Sequence, residues 1–225
     1  MRIALILLFL LSACGRPLTG SEAAYMQALQ GDGFDATRAR IVENPIIGLN
    51  VQRYPARPQT TCRERVAPPP EGRVIEGRTA GLVLFNTLHV RPDLSVPDYT
   101  AMSDGRPHLY AVMFFAHEMT HIWQWQNRDL TGYHPFRVAR EHVVVEDPYL
   151  FDLDTGQSFL DYGYEAQASL VEEYVCCRAV DPAGARTARL ERLIGQVMPV
   201  TPWQQRADAA STFLPWPGTP RGICS

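Results

Sequence analysis

LYAVMFFAHEMTHIWQWQN, residues Leu109 to Asn127, decides how the rest of this chain is read. The stretch has no Gly and no Pro, and it is apolar nearly all round from Leu109 to Ala116. That is the mark of a helix buried in a core. Inside it stands His117-Glu118-Met119-Thr120-His121, an H-E-x-x-H pattern. Residues four apart on an α-helix stack on one face, so His117 and His121 can aim imidazole nitrogens at a single ion. Glu118 is turned to the side, where it can reach a water held by that ion. Burying two histidines and a glutamate among apolar residues is costly unless something pairs with them. The chemistry expected is that of a zinc hydrolase, in which the metal acidifies water and Glu118 takes its proton. Two core histidines satisfied by hydrogen bonds would account for the pair without a metal.

Two histidines do not complete a catalytic zinc site, for which three protein ligands are expected. The continuation H-E-x-x-H-x-x-G-x-x-H is absent: Gln124 stands where its glycine would be and Asn127 where its third histidine would be. The other solution is a glutamate from a later helix. Glu165, 44 positions beyond His121 within YGYEAQA, suits the role. It lies near the start of a helix expected over 159–180, and small Ala166 and Ala168 would let that helix approach closely. Glu172 and Glu173 compete with it. Glu172 lies about 10 Å further along the same helix axis, so both are read as a solvated face.

H-E-x-x-H followed by a glutamate on a later helix resembles the gluzincin arrangement of zinc metallopeptidases. More narrowly, HEMTHIWQ followed by YEAQA resembles bacterial metallopeptidases that carry H-E-x-x-H-x-x-Q and a later E-x-Q-A. The resemblance covers residues 82–180, under half of the chain. It implies that His117, His121 and Glu165 hold zinc and that Glu118 is the catalytic base.

Other residues carry weaker signals. Gln124 follows His121 by three and shares its face, so it either steadies a ligand or covers the buried patch. Tyr162 or Tyr164 could donate to an oxyanion, although a packed aromatic is the plainer reading of each. His134 and His142 are read as structural or exposed, and His89 as the end of a strand. Trp123 and Trp125 are read as packing.

The N-terminus is a targeting segment: Arg2, an apolar run from Ile3 to Leu11, then Leu-Ser-Ala-Cys14. It resembles a bacterial lipoprotein signal, with residues 1–13 removed and Cys14 lipidated. The apolar run is too short to span a bilayer. The mature chain is therefore expected outside the cytoplasm, in the bacterial cell envelope on the periplasmic side, tethered to a membrane by lipid. In an oxidising compartment Cys62, Cys176, Cys177 and Cys224 are disulfide candidates. Adjacent cysteines bond to each other with difficulty, so Cys176 and Cys177 are expected to pair with Cys62 and Cys224 in an order left open. A net charge of −3, with every basic residue an Arg, excludes the broad basic surface of a nucleic-acid binder.

Of the 225 residues 46% are hydrophobic, ample for one core. A helix is expected over 22–30, strands over 82–90, 136–145 and 149–153, and a third long helix over 183–198. Residues 14–225 then form one α+β domain of minimal zincin-like type, a small sheet beside the motif helix and two further helices. An N-terminal tether and a proline-rich C-terminal tail are included in it. The function expected is an exported zinc metallohydrolase, a peptidase acting on a peptide or protein. The rival is an envelope lipoprotein that keeps such a fold for binding or assembly without catalysis.

Overall fold

The computed structural model describes residues 15–200, 212–216, 218 and 222–225. Cys14 and the targeting segment lie outside them, as does most of the tail beyond 200. Within the described residues the architecture is mixed α and β: two small sheets and several helices packed around two long ones.

The first sheet has four strands in the order β1-β2-β6-β5: β1 (Arg16–Pro17), β2 (Arg40–Glu43), β6 (Thr87–Val90) and β5 (Gly81–Leu84). β2 and β6 run parallel and the other pairings are antiparallel. Register sets Ile41 and Val83 on either side of Leu88, and these three buried side chains form the apolar face that meets the motif helix. The second sheet is a two-stranded ribbon, β3 (Val51–Pro55) with β4 (Val74–Arg78).

The helices are α1 (Gly20–Gln30), α2 (Cys62–Val66), α3 (Leu109–Gln126), α4 (Arg128–Thr131), α5 (Pro135–Val144), α6 (Tyr164–Val180) and α7 (Ala185–Ile194). α3 is the motif helix, buried from Val112 and Met113 through to Gln124 apart from Phe114. It has no side-chain cap at its start. Instead the Leu109 N–H donates to the Phe213 carbonyl at 3.0 Å, and the Phe213 N–H to the Pro107 carbonyl at 2.8 Å. At its end Asn127 donates through Nδ2 to the carbonyls of Gly33 and Trp123. The residue that stands where a third histidine was sought is thus a helix anchor.

α6 lies along α3 and is buried nearly all round. Two disulfides brace it, Cys62–Cys176 to α2 and Cys177–Cys224 to the C-terminus, which resolves the order the sequence left open. Their loops span 114 and 47 residues. Cross-links of that length restrict the unfolded chain by roughly 4–5 kcal/mol each on the loop-entropy account. Among the described residues no helix is long and apolar enough to cross a membrane.

Several expected elements are corrected. The single strand over 82–90 is a hairpin that turns at Phe85 and Asn86, with Phe85 at φ 59°. A bulky residue in the left-handed region is uncommon, and no Gly marks this turn. The strand expected over 136–145 is α5. Its β-branched run misleads, because Pro135 at the first helical position and His134 as N-cap start a helix there. The segment 149–153 forms no strand, and a 3-10 turn follows at Leu153–Thr155. The helix expected from Phe159 is a 3-10 turn, Phe159–Asp161, then a break at Tyr162 and Gly163 before α6.

Candidate metal centre

α3 supplies His117, Glu118 and His121, and the first turn of α6 supplies Glu165. All four are buried. The Nε2 atoms of His117 and His121 each lie 3.3 Å from Oε2 of Glu165. Donor atoms placed tetrahedrally at ~2.1 Å from an ion stand ~3.4 Å apart. Two imidazole nitrogens and one carboxylate oxygen at these separations are therefore a donor set that suits zinc. Glu165 sits at the N-terminal end of α6, where the helix dipole favours a negative charge.

The charges respond to one another. Burial works to raise the Glu165 pKa, but the charge of His121 and hydrogen bonds from His117, His121 and His142 hold it well below the carboxylate range. Burial would lower His117; the Glu165 and Glu172 carboxylates reverse that and push it up to about 10. A metal ion entering here would have to displace that proton. Glu118, unlike Glu165, is shifted upward: burial raises its pKa against the pull of the two histidines. It faces the edge strand, where a Cβ added at Gly81 would stand 2.7 Å from Glu118 Oε1.

Around these four residues stand groups that the sequence underrated. Gln124, fully buried, accepts from His121 Nδ1 at 2.9 Å and donates to the Tyr164 carbonyl and to Gln167 Oε1. It therefore fixes the His121 ring and ties it to the start of α6, a contact compatible with either of the two roles considered for it. Glu172 and Glu173, expected on a solvated face, are buried. Glu172 Oε2 lies 3.3 Å from His117 Nδ1, and Arg63 lies 3.2 Å from the same carboxylate. The ring nitrogen is not aligned as a hydrogen-bond donor, so this contact is an ion pair. Glu173 receives the Cys62 N–H at 2.7 Å and the Arg186 guanidinium at 2.6 Å. Arg63 and Arg186 come from other elements, so nothing local to α6 revealed that these two glutamates could be buried.

His142, read as structural or exposed, reaches Glu165 Oε1 at 2.8 Å. The tyrosines proposed as oxyanion donors are committed elsewhere: Tyr162 donates to the Asp152 carbonyl at 2.7 Å and Tyr164 to that of Gly132 at 2.9 Å. The phenols that face the site are Tyr133 and Tyr149, with ring centroids 6.2 Å from His121 and 6.0 Å from His117. Burial, then the charges of Glu165 and Glu118, raises both phenol pKa values, so both keep their protons. His134 caps α5, and His89 pairs with Asn44. Trp123 is core, while Trp125 sits at the rim under Arg128 and beside Phe85. Sulfurs of Cys62, Cys177 and Cys224 also cluster, but in disulfides they lack the thiolate a metal needs.

With this geometry in view, known proteins can be compared. No family model matches the chain. The sequence is 38% identical over 63 residues to the type VI secretion system spike protein VgrG2b of Pseudomonas aeruginosa, a match covering 27% of this chain and 6% of that protein. The fold is similar to the solved effector domain of Pseudomonas aeruginosa VgrG2b, with a TM-score of 0.51 and 22% identity over 83% of this chain and 85% of that one. The expected membership of the gluzincin-type bacterial metallopeptidases is thereby corrected: the sequence likeness is to part of the VgrG2b spike protein and the fold likeness is to its effector domain. The physical reason is that two short motifs describe a site. Similar sites recur on unrelated chains, so they do not by themselves assign a family.

Proposed function

We propose that this chain is an exported zinc-dependent hydrolase of zincin-like build, and that its substrate is a peptide or protein. One observation carries the reading: the Nε2 atoms of His117 and His121 converge on one oxygen of Glu165, with the buried carboxylate of Glu118 beside them. His117, His121 and Glu165 hold the ion. Zinc, when bound, supplies Lewis acidity toward water and toward a carbonyl. Glu118 is the base. Its raised pKa suits a group that accepts a proton from water and passes it to a leaving amine. Gly81 leaves room for that carboxylate against the sheet edge. Tyr149, protonated and at the rim, is placed to steady a polarised oxygen.

Export is supported by the likeness to part of a secretion spike protein and by the apolar run from Ile3 to Leu11 that precedes Cys14. Lipid attachment at Cys14 and a position on the periplasmic side of a membrane belong to the same reading. The test is metal analysis paired with hydrolysis. The purified chain is expected to carry about one zinc, lost in His117→Ala. Glu118→Gln is expected to keep the zinc and lose hydrolysis of peptide substrates by about 10²–10⁴-fold. A zinc-free wild type, or a Glu118→Gln protein that hydrolyses as fast as wild type, would sink this assignment.

A further inference from the structure

Each of the three proposed ligands has its own orienting neighbour. Gln124 holds His121 through Nδ1. Glu172 stands beside Nδ1 of His117. His142 holds Glu165 through Oε1. The first two come from α3 and α6, the helices that carry the ligands. The third comes from α5, which buries none of its own side chains.

α5 nevertheless reaches the site twice in succession. Glu141 Oε2 accepts the Tyr164 N–H at 3.0 Å, capping α6 one residue before Glu165. A Cβ added at Gly163 would meet the Glu141 carboxylate, which occupies the space that the glycine leaves open. The next residue, His142, then places Nε2 2.8 Å from Glu165 Oε1, while Oε2 faces the two α3 histidines. Its ring also lies against Tyr149, at 5.7 Å between centroids.

A free carboxylate can turn both oxygens to one ion. That would fill the position a catalytic zinc must keep open for water and substrate. We propose that His142 is a positioning residue: its Nε2–H engages Oε1 of Glu165, so that Oε2 alone is presented to the metal. α5 is the strap that delivers it. The inference rests on the reading of this site as a zinc centre. An anchor for α5 would use the same hydrogen bond but would leave the metal indifferent to it. The side chain of His142 is 40% exposed, so replacing it opens no core cavity.

The test compares wild type, His142→Ala and His142→Gln in their full chains. Zinc affinity is read by chelator competition, coordination by the visible spectrum of the cobalt(II) form, and fold by the melting temperature of the metal-free forms. His142→Ala should weaken zinc binding by about 10–100-fold, the usual effect of losing a partner that orients a ligand. Its cobalt bands should lose intensity as a fifth donor joins. Its metal-free melting temperature should stay near that of wild type. His142→Gln, whose amide N–H falls near the lost Nε2–H, should recover most of the affinity and the spectrum. Unchanged affinity and spectrum in His142→Ala would overturn the proposal, leaving His142 an anchor. A loss far beyond 100-fold in both variants would overturn it in the other direction, making His142 a ligand. A wild type that takes up neither metal would fail the zinc reading itself, whereas a zinc-loaded wild type indifferent to His142 fails this inference alone.

Discussion

Each of the buried polar residues around His117 and His121 has its neighbour, and the neighbours explain why such residues are tolerated in a core. Gln124 is a full case: its oxygen serves His121 and its nitrogen serves the start of α6 and Gln167. Removing it leaves two buried groups, His121 Nδ1 and Gln167 Oε1, short of a partner, and each such group costs about 1–3 kcal/mol. Gln124→Ala is therefore expected to lower stability by more than one such unit, and to weaken zinc binding about tenfold or more by freeing His121 to rotate. Chemical denaturation of the metal-free protein and chelator titration of the loaded one read the two effects separately. Stability loss with wild-type zinc affinity would mean that Gln124 only fills the helix interface.

At the scale of elements, the edge strand β5 sets the space around the base. Gly81 is the residue on β5 whose missing Cβ accommodates Glu118, and Leu88 of β6 closes the same space at 3.0 Å. In Gly81→Val the flexible end of Glu118 must move, so little stability is lost and the carboxylate is displaced from its place beside the histidines. The expected outcome is near-wild-type zinc content with hydrolysis reduced about 10²-fold, in line with the sensitivity of catalysis to displacements of about 1 Å. Wild-type turnover in that variant would show that Glu118 does not act from its present position. The elements also show where local reading fails. Val143, Val144 and Val145 look like a strand by propensity, yet Pro135 and the His134 cap commit the backbone to a helix, which leaves Val143 and Val144 on its exposed face and Val145 as its exposed C-cap.

For the whole molecule, the disulfides hold α6 against α2 and the C-terminus, further along α6 than Glu172 and Glu173 from the proposed ligand Glu165. Cys62→Ser with Cys176→Ser should cost about 2–5 kcal/mol of stability, measured by denaturant unfolding. Zinc content should persist at temperatures where the variant is still folded. If the unfolding midpoint does not move, the cross-link does not restrain the chain. The proposed anchor is tested at the same scale. Cys14→Ser should shift the protein from the membrane fraction to the soluble fraction of cells, and retention of the variant in membranes would rule out a lipid at that cysteine.

The sequence by itself determined the motif helix, the pairing of its two histidines on one face and the candidate third donor at Glu165. Helical periodicity is a local property, and a 44-residue separation bridged by an antiparallel return leaves few alternatives. It also restricted the disulfides to two patterns, because adjacent cysteines seldom bond to each other. What only the tertiary structure decided is everything that depends on a partner from elsewhere in the chain. Glu172 and Glu173 are buried because Arg63 and Arg186 reach them. His142 meets Glu165 because a helix stands where propensity favours a strand. Charge compensation and cap geometry act across 13 to 109 residues of separation and between different elements, so the periodicity of no single element reveals them. The helix of Leu109 to Gln126 could thus be recognised as a metal-binding candidate on its own, whereas Glu172 and His142, which stand against its proposed ligand set, became visible only in the folded chain.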